Sequence, residues 1–367
     1  TKDEEAYRLQ ASEARDVLSR LGPAFIKAGQ ALAIRPDLLP PAALKELQRL
    51  CDDCPAYPWA LAKATIEKEL GPEVWKLLDD SGAERDREGP LPIAAASLGQ
   101  VYRWRCRTDG RQLAVKVQRP NMAHAVALDM FILRRVAALV RWGTRQMTKN
   151  RTDHVALLDA WAKGTYAELD YEAEGRNYAY FRKELGQRMG GRVYVPEVCW
   201  ELTSRRVLAT EWVEGPRLAD CSPEVILTLV PVGVECFLAQ LLDMGVFHSD
   251  PHPGNLLVNK GRLVLIDFGL VAEIGQPSME SMATATVHLI SADYEALFDD
   301  LVSLELLPLD ADRQQVLGSD WPISVHSATR QFQQMSPGSE LNKYCSTSSC
   351  CCFLLLLFLL FLLCCCS

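Results

Sequence analysis

The sequence predicts an α+β fold in which a helical amino-terminal part precedes a body of short β runs and long amphipathic helices. Three observations predict it. From the start to about residue 88 the chain is rich in Ala, Leu, Glu, Lys and Arg, and Leu44, Leu47, Leu50 and Leu61 fall near helical spacing. From Ile93 the texture changes to strand-like runs over 98–106 and 112–117, with Thr108, Asp109 and Gly110 supplying turn chemistry between them. Finally, 367 residues of which 49% are apolar can bury the core of one large or two ordinary domains. A net charge of −8 argues against nucleic acid as a partner, because phosphate contacts need a basic face.

The elements follow in order. Prolines at 36, 40, 41, 55 and 58 cut the helical part into pieces, and the charged stretch 79–89 reads as a linker. After the two β runs, amphipathic helices are expected at about 121–142 and 152–186. A Val- and Pro-rich strand region at 193–198 and 206–213 is broken by Glu214, Gly215 and Pro216. A helix around 223–244, an ordered segment at 245–269 and helices to about 307 complete the pattern. These textures suggest segments 1–88, 89–213, 214–335 and 336–367.

The last segment differs from the rest. Residues 353–363 are only Phe and Leu, and the unbroken apolar run 350–366 has 17 residues, short of the ~20 that cross a bilayer. A misread gene end, a membrane segment and a buried helix are the alternatives. Of 13 cysteines, seven lie here (Cys345, Cys350, Cys351, Cys352, Cys364, Cys365, Cys366), and the other six are scattered except for Cys51 and Cys54. A lone C-x-x-C is a weak zinc or redox signal. Reduced thiols fit a cytosolic, matrix or stromal compartment better. Because the chain starts at Thr1, the lack of a targeting signal says nothing.

The chemistry is concentrated between Gly245 and Gly269. His248-Ser-Asp250-Pro-His252-Pro-Gly-Asn255 is followed by an apolar strand-like run ending in Asp267-Phe268-Gly269. Metal-assisted phosphoryl transfer needs one carboxylate to orient the acceptor, here Asp250, and an amide oxygen and a second carboxylate to hold Mg²⁺, here Asn255 and Asp267. A hairpin between the two loops brings the last two together. Upstream, Lys116 in Leu113-Ala-Val-Lys116-Val is placed to neutralise the phosphates of a nucleotide, and a lysine in an apolar strand needs a paired acid. An acidic cluster, Glu168, Asp170, Glu172 and Glu174, offers candidates on the expected 152–186 helix, 170 and 174 sharing one face and 168 and 172 another. Before the lysine, Ala94-Ala95-Ala96-Ser97-Leu98-Gly99-Gln100-Val101 has the register of the nucleotide loop G-x-G-x-x-G-x-V, with alanine in the first two glycine positions. Alanine enters positive φ only at a cost of ~1–2 kcal/mol, so this loop should be stiffer and hold its amides differently.

These residues resemble the UbiB-type atypical kinases, protein-kinase-like proteins of bacteria, mitochondria and plastids linked to ubiquinone, plastoquinone and tocopherol metabolism. The resemblance also rests on the K-x-G-Q helix, Lys27-Ala-Gly-Gln30, followed by Arg35-Pro-Asp-Leu-Leu-Pro-Pro, and it covers about 20–310. It implies a bilobal protein-kinase-like fold with an N-terminal helical extension (1–88), an N-lobe with inserted helices (89–213) and a truncated C-lobe (214–335). It further implies ATP and Mg²⁺ as cofactors, with Lys116 as the phosphate-binding lysine, Glu174 its helix partner and Asp250 the catalytic aspartate. Glu168 and Asp170 match the Glu-x-Asp pair that meets Lys27 and Gln30, and the end of the strand at Glu211 and Val213 is where a hinge would hold adenine. Plastid members match best, so a chloroplast, with its plastoglobules, is expected before a mitochondrion, and a prenyl lipid, quinone precursor, membrane or lipid droplet is an implied partner. Two other readings stay open: a small-molecule phosphotransferase of aminoglycoside or choline kinase type, and a nucleotide-binding scaffold without turnover.

Overall fold

A computed structural model describes residues 2–33, 56–147, 154–250, 253–291 and 293–304, with scattered positions at 40–47 and 307–313. Cys51 and Cys54, the Arg35-Pro-Asp stretch, the tail from 336 onward and the side chain of Gln30 lie outside the described residues. The chain divides into two compact units, Thr1–Arg182 with Pro196–Glu214, and Lys183–Val195 with Gly215–Ser367.

The first unit opens with helices α1 (Lys2–Leu21), α2 (Pro23–Ala33) and α3 (Trp59–Leu70). The turn between α1 and α2 requires glycine. Gly22 has φ +148, and a Cβ there would stand 2.5 Å from a carboxylate oxygen of Asp129. The helical part ends earlier than expected, because β1 (Leu78–Asp79) pairs with Cys106 and Arg105. Leu78 is drawn in by an aromatic cluster in which Trp59 meets Trp75, Tyr102 and Trp104 edge-on at 5.8, 5.5 and 5.7 Å. The stretch read as a linker therefore turns directly into the sheet, through an isolated bridge between Arg85 and Pro90.

That sheet is antiparallel and five-stranded: β2 (Ala94–Ala95) and β1 both lie against β3 (Gly99–Cys106), followed by β4 (Gln112–Gln118) and β6 (Val207–Glu211). Alternation decides its faces. Leu113, Val115 and Val117 enter the core, and Lys116 points to the other side between Val101 of β3 and Leu208 of β6.

The helix expected at 121–142 is α4 (Met122–Met147). The one expected over 152–186 is two helices, α5 (His154–Ala167) and α6 (Tyr171–Arg188). The break has a local cause. An Oδ of Asp170 accepts the Ala173 amide at 2.9 Å, an N-cap that starts a new helix, while the Tyr171 amide donates to the Arg205 carbonyl at 3.0 Å.

The second unit carries two small sheets. Strand β5 (Val193–Tyr194) runs parallel to β9 (Arg262–Leu265), which pairs antiparallel with β8 (Leu256–Asn259). The Val-rich region expected as one strand zone is thus shared between two sheets, since β6 belongs to the first unit. Helix α7 (Pro223–Ala239) continues through a π turn to Met244, ends at left-handed Gly245 with φ 66, and delivers β7 (Val246–His248), paired with β10 (Val271–Glu273). Helices α8 (Gln276–Ile290) and α9 (Tyr294–Ser303) follow, joined by a bond of 2.6 Å between His288 Nδ1 and Asp300.

Candidate functional site

In the first unit, β4 and the first turn of α6 bring Lys116 and Glu174 together. The ammonium lies 3.0 Å from each carboxylate oxygen of the buried Glu174, and 5.0 Å from the centre of the Tyr171 ring. Of the acids left open by the sequence, Glu174 is the partner. Capping by Asp170 fixes where α6 begins, and so aims the fourth residue after it at the lysine. Tyr171 was not singled out from sequence. Its hydroxyl also passes close to the nucleotide-loop region, 2.8 Å from where a Cβ on Gly99 would stand.

The alanine loop is a tight hairpin turn. Ala94 and Ala95 pair with Val101 and Gln100, and the Ala96 amide donates to the Gly99 carbonyl at 2.8 Å. From outside the turn, the Arg119 amide donates to the Leu98 carbonyl at 2.8 Å, and its guanidinium to the Ala96 carbonyl at 3.2 Å. Ser97 and Leu98 are buried, Leu98 in a cluster with Ala24, Met122, Val126, Met130 and Leu169. No alanine of the loop has positive φ; among the described residues only Asn121, Lys260 and Asp267 do so without being glycine. Gly99 alone needs its lack of a side chain, because a Cβ would also meet the Val117 carbonyl at 2.6 Å.

The K-x-G-Q helix is α2. Lys27 forms an ion pair with Glu168 in the break after α5, and Ala24 donates its amide to Asp129 of α4 at 3.1 Å. Burial pushes the Asp129 carboxyl up, against the lowering effect of that amide. Sequence gave no signal for Asp129. The single helix expected over 152–186 would set Asp170 on one face with Glu174; its carboxylate is instead the cap of α6. Glu211 and Val213 stand at the end of β6, where the Trp212 amide donates to the Gln112 carbonyl at 2.9 Å just before the chain leaves this unit at Glu214.

In the second unit, Asp250, Asn255 and Asp267 are held by backbone and by His248. The Asn255 Nδ2 donates to the Asp250 carbonyl at 3.0 Å, and the Ile266 amide donates to the Asn255 carbonyl at 3.0 Å, which extends the β8–β9 ladder. Asp267 therefore follows directly on the residue paired with Asn255, as the hairpin argument required. The His248 Nδ1 accepts the Asp250 amide at 3.1 Å, so its proton sits on Nε2, 3.3 Å from the Ile266 carbonyl. This neutral ring ties the loop of Asp250 to the strand end before Asp267. Gln240 holds it in turn, accepting the His248 amide at 3.0 Å, a role with no sequence signal. Asp267 takes φ 62, a left-handed conformation that Asp tolerates and that marks a constrained site. Asp267 and Asn255 offer one carboxylate and one amide oxygen whose nitrogen is already engaged, hard donors of the kind magnesium takes. A cation that keeps several waters and binds substrate phosphates needs few protein oxygens.

A protein-kinase-like fold with a lysine–glutamate pair on its sheet and an Asp–Asn–Asp loop system defines the class. The ABC1 atypical kinase-like domain matches residues 49–301, and the chain belongs to that family. It is 40% identical over 322 residues to uncharacterized protein sll0005 of Synechocystis, covering 86% of this chain and 45% of that protein. It is 40% identical over 315 residues to the chloroplastic Protein ACTIVITY OF BC1 COMPLEX KINASE 3 of Arabidopsis thaliana, covering 84% of this chain and 43% of that one. The chain spans about half the length of the curated relatives it matches. Its fold is that of the Rv3197 protein of Mycobacterium tuberculosis, solved in complex with erythromycin, at a TM-score of 0.57 and 24% identity over 93% of this chain and 87% of that one.

Proposed function

We propose that this chain is an ATP- and Mg²⁺-dependent atypical kinase or ATPase that regulates prenyl-quinone metabolism in a plastid. The observation that carries the reading is the two-oxygen grip of Glu174 on Lys116, which holds an ammonium fixed on the sheet where phosphate charge has to be met. Lys116 would bind the α- and β-phosphates, and Asp250, held through its amide by His248, would orient an acceptor hydroxyl or a water. Asn255 and Asp267 would hold magnesium, which when bound supplies neutralisation of the phosphate oxygens. The carbonyl and amide groups of Glu211 and Val213 would receive adenine, and the hairpin of Ala94, Ala95, Ala96, Ser97, Gly99 and Val101 would cover the phosphates. Lys27 and Gln30 of the extension, with Glu168 and Asp170 of the Glu-x-Asp pair, would be regulatory in this reading. Segments 1–88, 89–213 and 214–335 would be extension, N-lobe and C-lobe. Relatives named chloroplastic support the plastid, and a prenyl lipid or quinone precursor at a membrane or plastoglobule is the proposed partner.

The test is Mg-ATP turnover of the wild type beside Asp267→Asn, with and without detergent-solubilised quinone precursors. Turnover stimulated by the precursor and lost in the variant, with unchanged circular dichroism, is expected. Undiminished hydrolysis by the variant would remove the metal role, and phosphorylation of choline or an aminoglycoside would replace the lipid reading by the small-molecule one.

A further inference from the structure

The 26-residue helix α4 is apolar on two sides. One side, with Met122, Val126 and Met130, is buried in a cluster with Ala24 of α2 and Leu98. On the other, Leu128, Phe131, Ile132, Leu139 and Trp142 are exposed, Leu139 and Trp142 each to 68%. At 3.6 residues per turn these five form one stripe roughly 100° wide and about 21 Å long. A soluble surface helix places polar residues there, and a contiguous apolar stripe marks an interaction site.

Charge indicates what covers it. The helix carries Arg134, Arg135 and Arg141 against a single acid, Asp129, in a chain of net charge −8. That acid is buried on the inner side, accepting the Ala24 amide. Arg135 falls inside the stripe with its guanidinium 5.1 Å from the centre of the Phe131 ring, and Arg134 flanks it, bound to Asp159 at 2.9 Å. Aromatic and aliphatic side chains interleaved with arginine suit a helix lying in the headgroup boundary, the apolar atoms among the acyl chains and the guanidiniums at the phosphates. Pairing with a second copy through the same stripe would instead set Arg135 against its equivalent. We propose that the outer face of α4 docks on an anionic lipid surface. The inference deepens the lipid-linked reading above and rests on it for its purpose, but it is read without nucleotide, so either can fail alone.

The experiment is flotation of the full chain with phosphatidylcholine vesicles, with and without phosphatidylglycerol. Wild type is compared with Leu139→Ser/Trp142→Ser and with Arg135→Glu, all exposed positions, and far-ultraviolet circular dichroism checks each fold. The wild type should float with the anionic vesicles, the double variant roughly tenfold less well or worse, and Arg135→Glu without its preference for phosphatidylglycerol. The Phe/Leu tail is common to all three proteins, so a loss reads the helix. A wild type that does not float, a double variant that floats as well as wild type, or a dimer in light scattering that the double variant dissolves would overturn the proposal.

Discussion

Two lysine–glutamate pairs in the first unit invite comparison, because their acids lie six residues apart in one acidic run and serve different elements. Glu174 grips Lys116 of the sheet with both oxygens, the side chains being 2% and 25% exposed. Glu168 meets Lys27 of the helical extension, at 12% and 19% exposure. What separates them is the break at Asp170. Glu174 sits on the first turn of a capped helix and is aimed by it, whereas Glu168 lies in the connection between helices and ties α2 to that connection. One acidic cluster thus builds a fixed lysine–carboxylate pair on the sheet and a tether for α2.

The largest effect that would break this distinction is at Glu174. Glu174→Gln keeps the shape but leaves the Lys116 ammonium uncompensated above a buried amide, and should cost about 3 kcal/mol in urea unfolding, the lower end expected for breaking a buried pair. It should also abolish nucleotide binding by calorimetry. Glu168→Gln should cost on the order of 1 kcal/mol. Equal losses would mean that the two pairs are the same kind of contact.

The pairs also show what was legible in the sequence. Lys116 and the acidic run could be read because a charge in an apolar strand demands a partner, and the Asp250, Asn255 and Asp267 spacing because hairpin geometry follows from turn chemistry. The α+β fold followed from texture. The helix break was missed because periodicity continues across 168–172, and only the cap made by Asp170 and the bond from Tyr171 to Arg205 interrupt it. Asp129 and Gln240 act through contacts 105 and 8 residues away, and neither contact leaves a local pattern. The alanine loop was read as stiff from the φ cost of alanine, but none of its alanines has positive φ; what ties it down is Arg119, which bonds two of its carbonyls.

A smaller effect tests the break itself. Asp170→Ala removes the cap of α6 and should lower stability by about 1 kcal/mol, with Asp170→Asn or Asp170→Ser restoring most of it. Thermal unfolding of the three variants checks this. If α5 and α6 formed one continuous helix, alanine would be neutral or better.

The smallest expected effect concerns the other anchor of α2. Asp129 is buried and its carboxyl is held above the ordinary 3.8, chiefly by loss of water and in spite of the Ala24 amide. An acid whose folded pKa is raised binds more protons folded than unfolded, so its contribution favours folding at low pH and fades as pH rises past the ordinary carboxylate range. Asp129→Asn keeps an acceptor for Ala24 and removes the charge. The difference in unfolding free energy between variant and wild type should therefore grow in the variant's favour from about pH 4 to about pH 7, by less than the ~1 kcal/mol of the cap at Asp170. Taking the difference cancels the other carboxylates. A variant that loses stability relative to wild type over that range would show that Asp129 works as an anion at the α2 terminus, and that the extension is held by charge at both Lys27 and Ala24 rather than at Lys27 alone.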